Sequence, residues 1–432
     1  MATIKPSLLG SFTHGLRLAP LAVPCILIYI ALPSRFIFPA DFSLTELQAT
    51  WHPSLAGWYD GLLLGALALT WLVYGLATER KLTVFAYLCS LAAVLSLLFG
   101  YPGVSSALLA DTALFWLRWT ALFCFAVWLA ETGGVPALES LLVIICIVLC
   151  ASALFVYRLQ FGINSRIYAS AMSVASFSQV VVVVLFIAIT HKNYALTLFA
   201  FPFLVLTFSW TSILLLCSIT GIYVVKSQAV RPAQLLITGA IFTACLSVAF
   251  YLVVHYSQFE EIRKTLTNTA NAASLHGRTY IWSYGIELIR SGGVGLFGIG
   301  LNRSPLILHQ PIIVMMSGNY FALDRETYAF PVHFHSILLE LGVGLGVSSL
   351  LLFYLLCQRI LQAFRLRCHL SWMIFSFFLL SQSLDFTFFR PKEIVLWALM
   401  LGLAEGALRL QSRSSQEASL PFADELGLVS HG

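Results

Sequence analysis

Long apolar runs separated by short polar or basic stretches fill the first 255 residues and return after residue 335. They predict helical spans at about 18–33, 57–77, 83–100, 109–131, 136–157, 170–190, 194–208, 211–225, 234–255, 335–357, 371–387 and 391–408. A bilayer core needs roughly 20 residues per helix, and most of these runs match that length. The seventh and eighth together cover only 194–225, so they form either a short helical hairpin or one broken helix. Twelve spans put both chain ends on one side. No small-residue cleavage site follows the first span, which predicts a retained anchor.

Between 256 and 334 the pattern changes. This polar insertion of roughly 80 residues is long for a simple connection, and such loops are functional or unstructured. Ser257–Ala273 and Gly277–Arg290 read as helix, followed by a turn at Ser291-Gly292-Gly293-Val294-Gly295. After Gln411 the chain turns polar and Ser-rich, which predicts an unstructured tail. The expected organisation is an all-α polytopic membrane domain over 1–410, a loop carrying short helices inserted at 256–334, and a tail at 411–432.

Composition agrees with that class. Hydrophobic residues make up 59% of the chain and charged residues 10%, with a mean hydropathy of +0.89. Soluble domains carry about 25% charged residues. The net charge of +5 comes from basic residues scattered over both faces, which predicts no nucleic-acid partner. The positive-inside rule orients the N-terminus inward, since the short inner loops are basic for their length. The outer face then carries ten arginines: Arg35, Arg118, Arg158, Arg166, Arg263, Arg278, Arg290, Arg303, Arg325 and Arg390. Arginine presents a planar fork suited to phosphate, and an outer face rich in it suits an anion; snorkelling to headgroups is the ordinary alternative. The nine cysteines lie almost all in spans, with no CxxC pair or Cys/His cluster, so neither a disulfide framework nor a metal is expected. Cys146 and Cys150, four apart, read as small packing residues.

Several positions could carry chemistry. In His276-Gly277-Arg278-Thr279-Tyr280, Gly277 breaks any preceding helix and puts Arg278 in the first turn of the next. A cation is unfavourable there unless an anion binds at the free amides. Pairing with Glu287 or with a lipid headgroup is the other reading. In Val332-His333-Phe334-His335-Ser336, at the mouth of a span, neighbours two apart do not share a helical face. One of the two histidines can therefore face a cavity, where it suits a general base; a hydrogen-bonded interfacial histidine is equally open. Glu340, five residues into that span, needs a partner, as does Arg118 within Phe115-Trp116-Leu117-Arg118-Trp119. Asp385 and Arg390 flank a short outer turn, either as functional groups or as an ion pair. Asn164-Ser165-Arg166-Ile167-Tyr168 is polar and aromatic, as sugar-lining loops and aromatic belts both are.

Taken in order, Asn164-Ser165-Arg166, Gly277-Arg278, Val332-His333-Phe334-His335-Ser336 and Leu384-Asp385 with Arg390 resemble the O-antigen ligases, within the O-antigen ligase and polymerase family. The resemblance covers most of the chain, and its specificity lies in the collinearity of short motifs. It implies an inverting, metal-independent glycosyltransferase of the bacterial inner membrane, similar to GT-C-like enzymes, with no cofactor and a periplasmic site. The implied partners are an undecaprenyl diphosphate-linked glycan donor, a lipid A–core acceptor and membrane lipids. It makes His335 the catalytic base and Arg278 a donor diphosphate clamp, with His333, Asn164, Asp385 and Arg390 in support.

Two positions depart from the family pattern. Ser336 stands where Asn is usual, and Trp210, after Ser209, stands where a second phosphate-binding Arg is usual. Trp210 can stack on a sugar but cannot neutralise a phosphate. Arg166 or Arg118 then supplies the charge, or the donor is held differently, or activity is low. Polysaccharide polymerases and pilin or protein glycosyltransferases share the pattern and differ in acceptor. A polysaccharide transporter or flippase is the rival without catalysis; it predicts paired inverted repeats and broken helices in both halves of the chain, and the sequence shows one such break, near Trp210.

Overall fold

A computed structural model of the chain describes residues 8–31, 55–74, 106–160, 174–207, 209–227, 281–292, 296, 298, 336–384 and 391–417. These residues are helical, without strands. The helices are α1 (Leu8–Leu18), α2 (Ala22–Ala31), α3 (Leu55–Tyr74), α4 (Ser106–Thr132), α5 (Val135–Gln160), α6 (Val174–Thr190), α7 (Tyr194–Thr207) and α8 (Trp210–Ser227). After them come α9 (281–290), α10 (Ile337–Leu345), α11 (Ser348–Arg365), α12 (His369–Leu384) and α13 (Pro391–Glu417). The expected all-α class is therefore observed.

Val135–Leu154 is by itself long and apolar enough to cross a membrane, with a mean hydropathy of 2.6. Leu9–Leu18 and Ala22–Ala31, bent by 113°, would make a second span if taken together. Gly61–Thr70, Ala175–Thr190, Tyr194–Thr207, Thr211–Ser227 and His369–Leu384 are apolar but shorter. The expected spans at 83–100 and 234–255 lie outside the described residues.

The core is built on α4, α6, α12 and α13. From Val180 to Ala188 every side chain of α6 is buried, as is every side chain of α13 from Ile394 to Leu401. A helix apolar all round belongs inside a bundle or a bilayer. Aromatic rings lock these helices: Phe186 meets Phe377 edge-on at 5.6 Å, and Phe378 meets Trp397 at 4.8 Å. The outer faces are apolar as well, with Leu214, Ile222, Val225, Leu350 and Tyr354 all exposed.

Helices α4 and α13 run parallel and touch through small residues. A Cβ on Gly406 would meet Ala130, and one on Gly402 would meet Ala126, so the register holds over a full turn. Small residues let two backbones approach this closely without a side chain between them.

One end of the bundle is ionic. Arg409 bonds Glu405 at 3.0 Å and reaches Glu131 at 3.3 Å; Arg413 reaches Glu131 at 3.4 Å, and Arg359 pairs with Glu405 at 3.2 Å. His191 and Glu139 close the same end at 2.9 Å. Two inter-helix turns here use left-handed basic residues. Lys192 (φ 54) lets the amide of Asn193 bond Ala188 O, and Asn193 Oδ1 then caps α7 through the amide of Leu196. Arg367 (φ 56) does the same between α11 and α12, with the amide of Cys368 bonded to Ala363 O. Carbonyls left over at a helix C-terminus are satisfied by such 6→1 bonds, and nearby cations suit the helix dipole.

The sequence left 194–225 as a hairpin or a broken helix, and the structure shows a hairpin. Helix α7 starts at the ionic end and finishes beside the start of α6. Helix α8 begins there, where Ser212 bonds Ser178, and returns to the ionic end, where Lys226 bonds Phe364 O. Two other differences from the sequence reading have clear causes. The span expected at 335–357 is broken at Gly346 (φ 57), whose missing Cβ leaves room for Leu296 O. Helix α13 runs to Glu417, past the start of the expected tail at Gln411, because Arg409 and Arg413 anchor its last turns to Glu131.

Candidate functional site

At the end opposite the ion pairs, the bundle carries neutral polar groups. Ser178 and Gln179 on α6, Thr207 closing α7, Ser212 on α8, and Ser381 and Gln382 on α12 are all buried. They are satisfied by one another and by backbone. Ser178 and Ser212 hydroxyls lie 2.7 Å apart, and Ser209 donates to Ser212 at 3.1 Å. Thr207 donates to Leu204 O and accepts from the amide of Ser209. The Gln382 amide donates to Gln179 Oε1 at 3.1 Å. This hydroxyl chain fixes the α7–α8 turn to α6, and Trp210 is the first residue of α8 beyond it.

Three helix ends there adjoin, in sequence, segments that the sequence analysis singled out. Helix α6 begins after Asn164 and Arg166, α12 ends just before Asp385, and α13 begins just after Arg390. Asn164, Arg166, Arg278, His333, His335, Asp385 and Arg390 themselves lie outside the described residues. Ser336, next in sequence to His335, is buried and stands in extended conformation (φ −149, ψ 125) as the N-cap of α10.

The insertion folds back onto that helix. Ile289 of α9 lies 3.5 Å from where a Cβ on Gly342 of α10 would be. The amide of Val347 bonds Leu296 O at 3.0 Å, and the left-handed Gly298 (φ 78) packs on the backbone of Gly344. Any side chain at Gly298 would collide with that backbone, so the loop seats on the α10–α11 break through glycine. Helix α9, described from three residues after Arg278, is thereby held against α10, which begins two residues after His335.

Arg118 is buried on α4, 5% exposed. The α4–α13 register sets it level with Glu393–Ile394, at the start of α13, where Glu393 is 3% exposed. A buried cation and a buried carboxylate thus share one height at the polar end. Charges are held in such places only with compensation, so both are candidates for the site's electrostatics.

The buried polar groups Glu393, Gln179 and Gln382 were not singled out by sequence reasoning. The available signal was local: Ser176-Phe177-Ser178-Gln179 and Ser381-Gln382-Ser383 interrupt otherwise apolar runs. These hydroxyls and carboxamides are spent on one another inside the bundle, where they tie α8 and α12 to α6. Cys146 and Cys150, 3.9 Å apart at sulfur, are both free and buried. The chain matches no protein-family model, and no curated protein matches it.

Proposed function

We propose that this chain is a multi-pass inner-membrane glycosyltransferase of about twelve spans. It moves a glycan from undecaprenyl diphosphate to lipid A–core at the periplasmic face, as an O-antigen ligase does. The observation that carries the reading is the seating of α9 on α10, because these helices follow Arg278 and His335 directly. Two further features support it. The bundle is apolar on its outer faces as well as inside, which suits lipid rather than water. Among the described residues, its ionic end carries most of the basic groups with their carboxylates, and its opposite end the hydroxyls and carboxamides together with Arg118 and Glu393.

In this reaction the acceptor hydroxyl attacks the anomeric carbon as the sugar–phosphate bond breaks. His335 takes the hydroxyl proton. The diphosphate leaves with growing negative charge, which Arg278 stabilises with Arg166 or Arg118. An indole such as that of Trp210 can stack on a sugar, and the hydroxyl cluster of Ser178, Thr207, Ser209 and Ser212 keeps the α7–α8 turn in place.

The test is complementation of an O-antigen ligase-deficient Gram-negative strain carrying its glycan locus. The expected result is a restored ladder on lipid A–core, lost in His335→Ala and in Arg278→Ala at normal expression. Full transfer by a well-expressed His335→Ala variant would refute the base assignment. A ladder free of lipid A–core would mark a polymerase, and glycan on pilin or another protein a protein glycosyltransferase.

A flippase is the second reading, because the chain bends between α1 and α2 and breaks again at Gly346, and broken helices mark transport paths. It predicts that His335→Ala leaves translocation of the lipid-linked glycan intact.

A further inference from the structure

At the ionic end, one group of basic residues stands apart from the Glu131–Glu405 network. Lys226 closes α8, Arg367 sits in the α11–α12 turn, and His369 opens α12. Lys226 Nζ donates to Phe364 O at 2.6 Å and lies 2.7 Å above the centre of the Phe364 ring. Phe364 meets Trp372 edge-on at 5.7 Å, and the indole of Trp372 donates to His369 Nδ1 at 3.5 Å. Tyr223 meets His369 at 5.0 Å from the other side. An aromatic frame therefore holds Lys226 and His369 near one another, and Arg367 sits in the turn between Phe364 and His369.

Among the described residues no carboxylate pairs with Lys226, Arg367 or His369, whereas Arg359, Arg409 and Arg413 are all paired. The crowding has an electrostatic signature. Lys226 is pushed below the usual lysine range by desolvation and by Arg367; His369 is pushed below the usual histidine range by desolvation, Lys226 and Arg367. Like charges held together without a counter-ion repel, and a bound anion would relieve them.

The neighbouring surface says which kind of anion. Ile222 and Val225 of α8 and Leu361 of α11 are exposed, Val225 at 70%, and they lead away from the cations along the outside of the helices. Phosphate-binding groups at the head of an apolar strip match an amphiphile.

We propose that Lys226, Arg367 and His369 form a binding site for the headgroup of an acidic phospholipid, whose acyl chains lie along Ile222, Val225 and Leu361. The inference goes beyond the transferase activity and rests on the membrane reading alone. Juxtamembrane basic residues attract anionic headgroups, each worth enough to weaken binding about fivefold when removed.

The experiment uses the full chain in detergent, titrated with dioleoyl phosphatidylglycerol or dioleoyl phosphatidylcholine, and reads bound lipid by native mass spectrometry. The expected result is preference for phosphatidylglycerol, weakened about fivefold by Lys226→Gln or Arg367→Gln and about twentyfold by the pair. Lys192→Gln, which removes a cation at the same end outside the cluster, should leave the preference intact. Equal binding of both lipids overturns the proposal. So does loss of preference in Lys192→Gln, which would mark diffuse surface charge. Displacement of the lipid by millimolar inorganic phosphate alone would make the site one for free phosphate. Carbonate extraction of native membranes, run alongside, separates the two ideas: a chain released by carbonate sinks the membrane reading, and a retained chain without lipid preference sinks only this site.

Discussion

Gly406→Ala tests how α4 and α13 are held together. A Cβ at 406 would lie 2.5 Å from the Cβ of Ala130, with Val127 O at 3.7 Å. Carbon atoms pack at about 3.5–4.0 Å, so the helices must part locally by roughly 1 to 1.5 Å. Overpacking of this kind costs about 1–3 kcal/mol. The upper half of that range is expected, because Glu405 and Arg409 on the same stretch of α13 are tied to Arg359 and Glu131 and resist displacement. Gly221→Ala is the control. It also adds a methyl inside a helix, but nothing lies within 4 Å, so the better helix propensity of alanine should leave stability equal or raise it by about 0.5–1 kcal/mol. Ala130→Gly alone should destabilise by removing a buried methyl. Combined with Gly406→Ala it moves that methyl across the contact, so the double variant should be more stable than the sum of the singles by at least about 1 kcal/mol. Reversible unfolding in mixed micelles, followed by tryptophan fluorescence, gives these differences. Gly406→Ala within about 0.5 kcal/mol of the parent, or additive singles, would refute the close-packed parallel pair.

Three further outcomes are expected. Glu405→Gln leaves Arg359 and Arg409 short of their shared carboxylate, and breaking a buried pair costs about 3–5 kcal/mol, read in the same unfolding assay. Gln382→Leu strands part of Gln179 in the core and should cost about 1–3 kcal/mol, most of it recovered when Gln179→Leu is added. Acidification should lower the melting temperature through His369. Its folded pKa lies below the unfolded value of 6.5, because of desolvation, Lys226 and Arg367. The unfolded chain then binds more protons in the window just below 6.5, so stability falls as pH drops through it and levels once the folded histidine is also charged. Thermal melts from pH 8 to 5 should show this slope, and His369→Gln should flatten it; an unchanged slope would show that the histidine is not the titrating group.

The hydrophobic pattern located several helices, although the runs expected at 18–33 and 335–357 meet breaks in the structure. The edges expected at 109–131, 136–157, 194–208 and 211–225 fall within a few residues of α4, α5, α7 and α8, because each span is bounded by polar or turn residues that stop an apolar run. The pattern also carried the all-α class, and it marked Arg118 as a charge needing company. Spacing along one chain could not say that α7 and α8 fold back on each other, since a hairpin and a broken helix have the same hydropathy. That was decided by Ser178 and Ser212, 34 residues apart in sequence and bonded in space. Nor could it reveal that Gly346 breaks a span, since the need for glycine comes from Leu296 O across the contact. The ion pairs from Arg409 and Arg413 to Glu131 join residues nearly 300 positions apart, and they extend α13 where composition alone favours coil. Sequence determined which segments are helical, because apolar runs and their stops are local properties. Tertiary structure decided which helices run side by side, which polar groups share an end and which charges meet, because each of those depends on residues far apart in the chain.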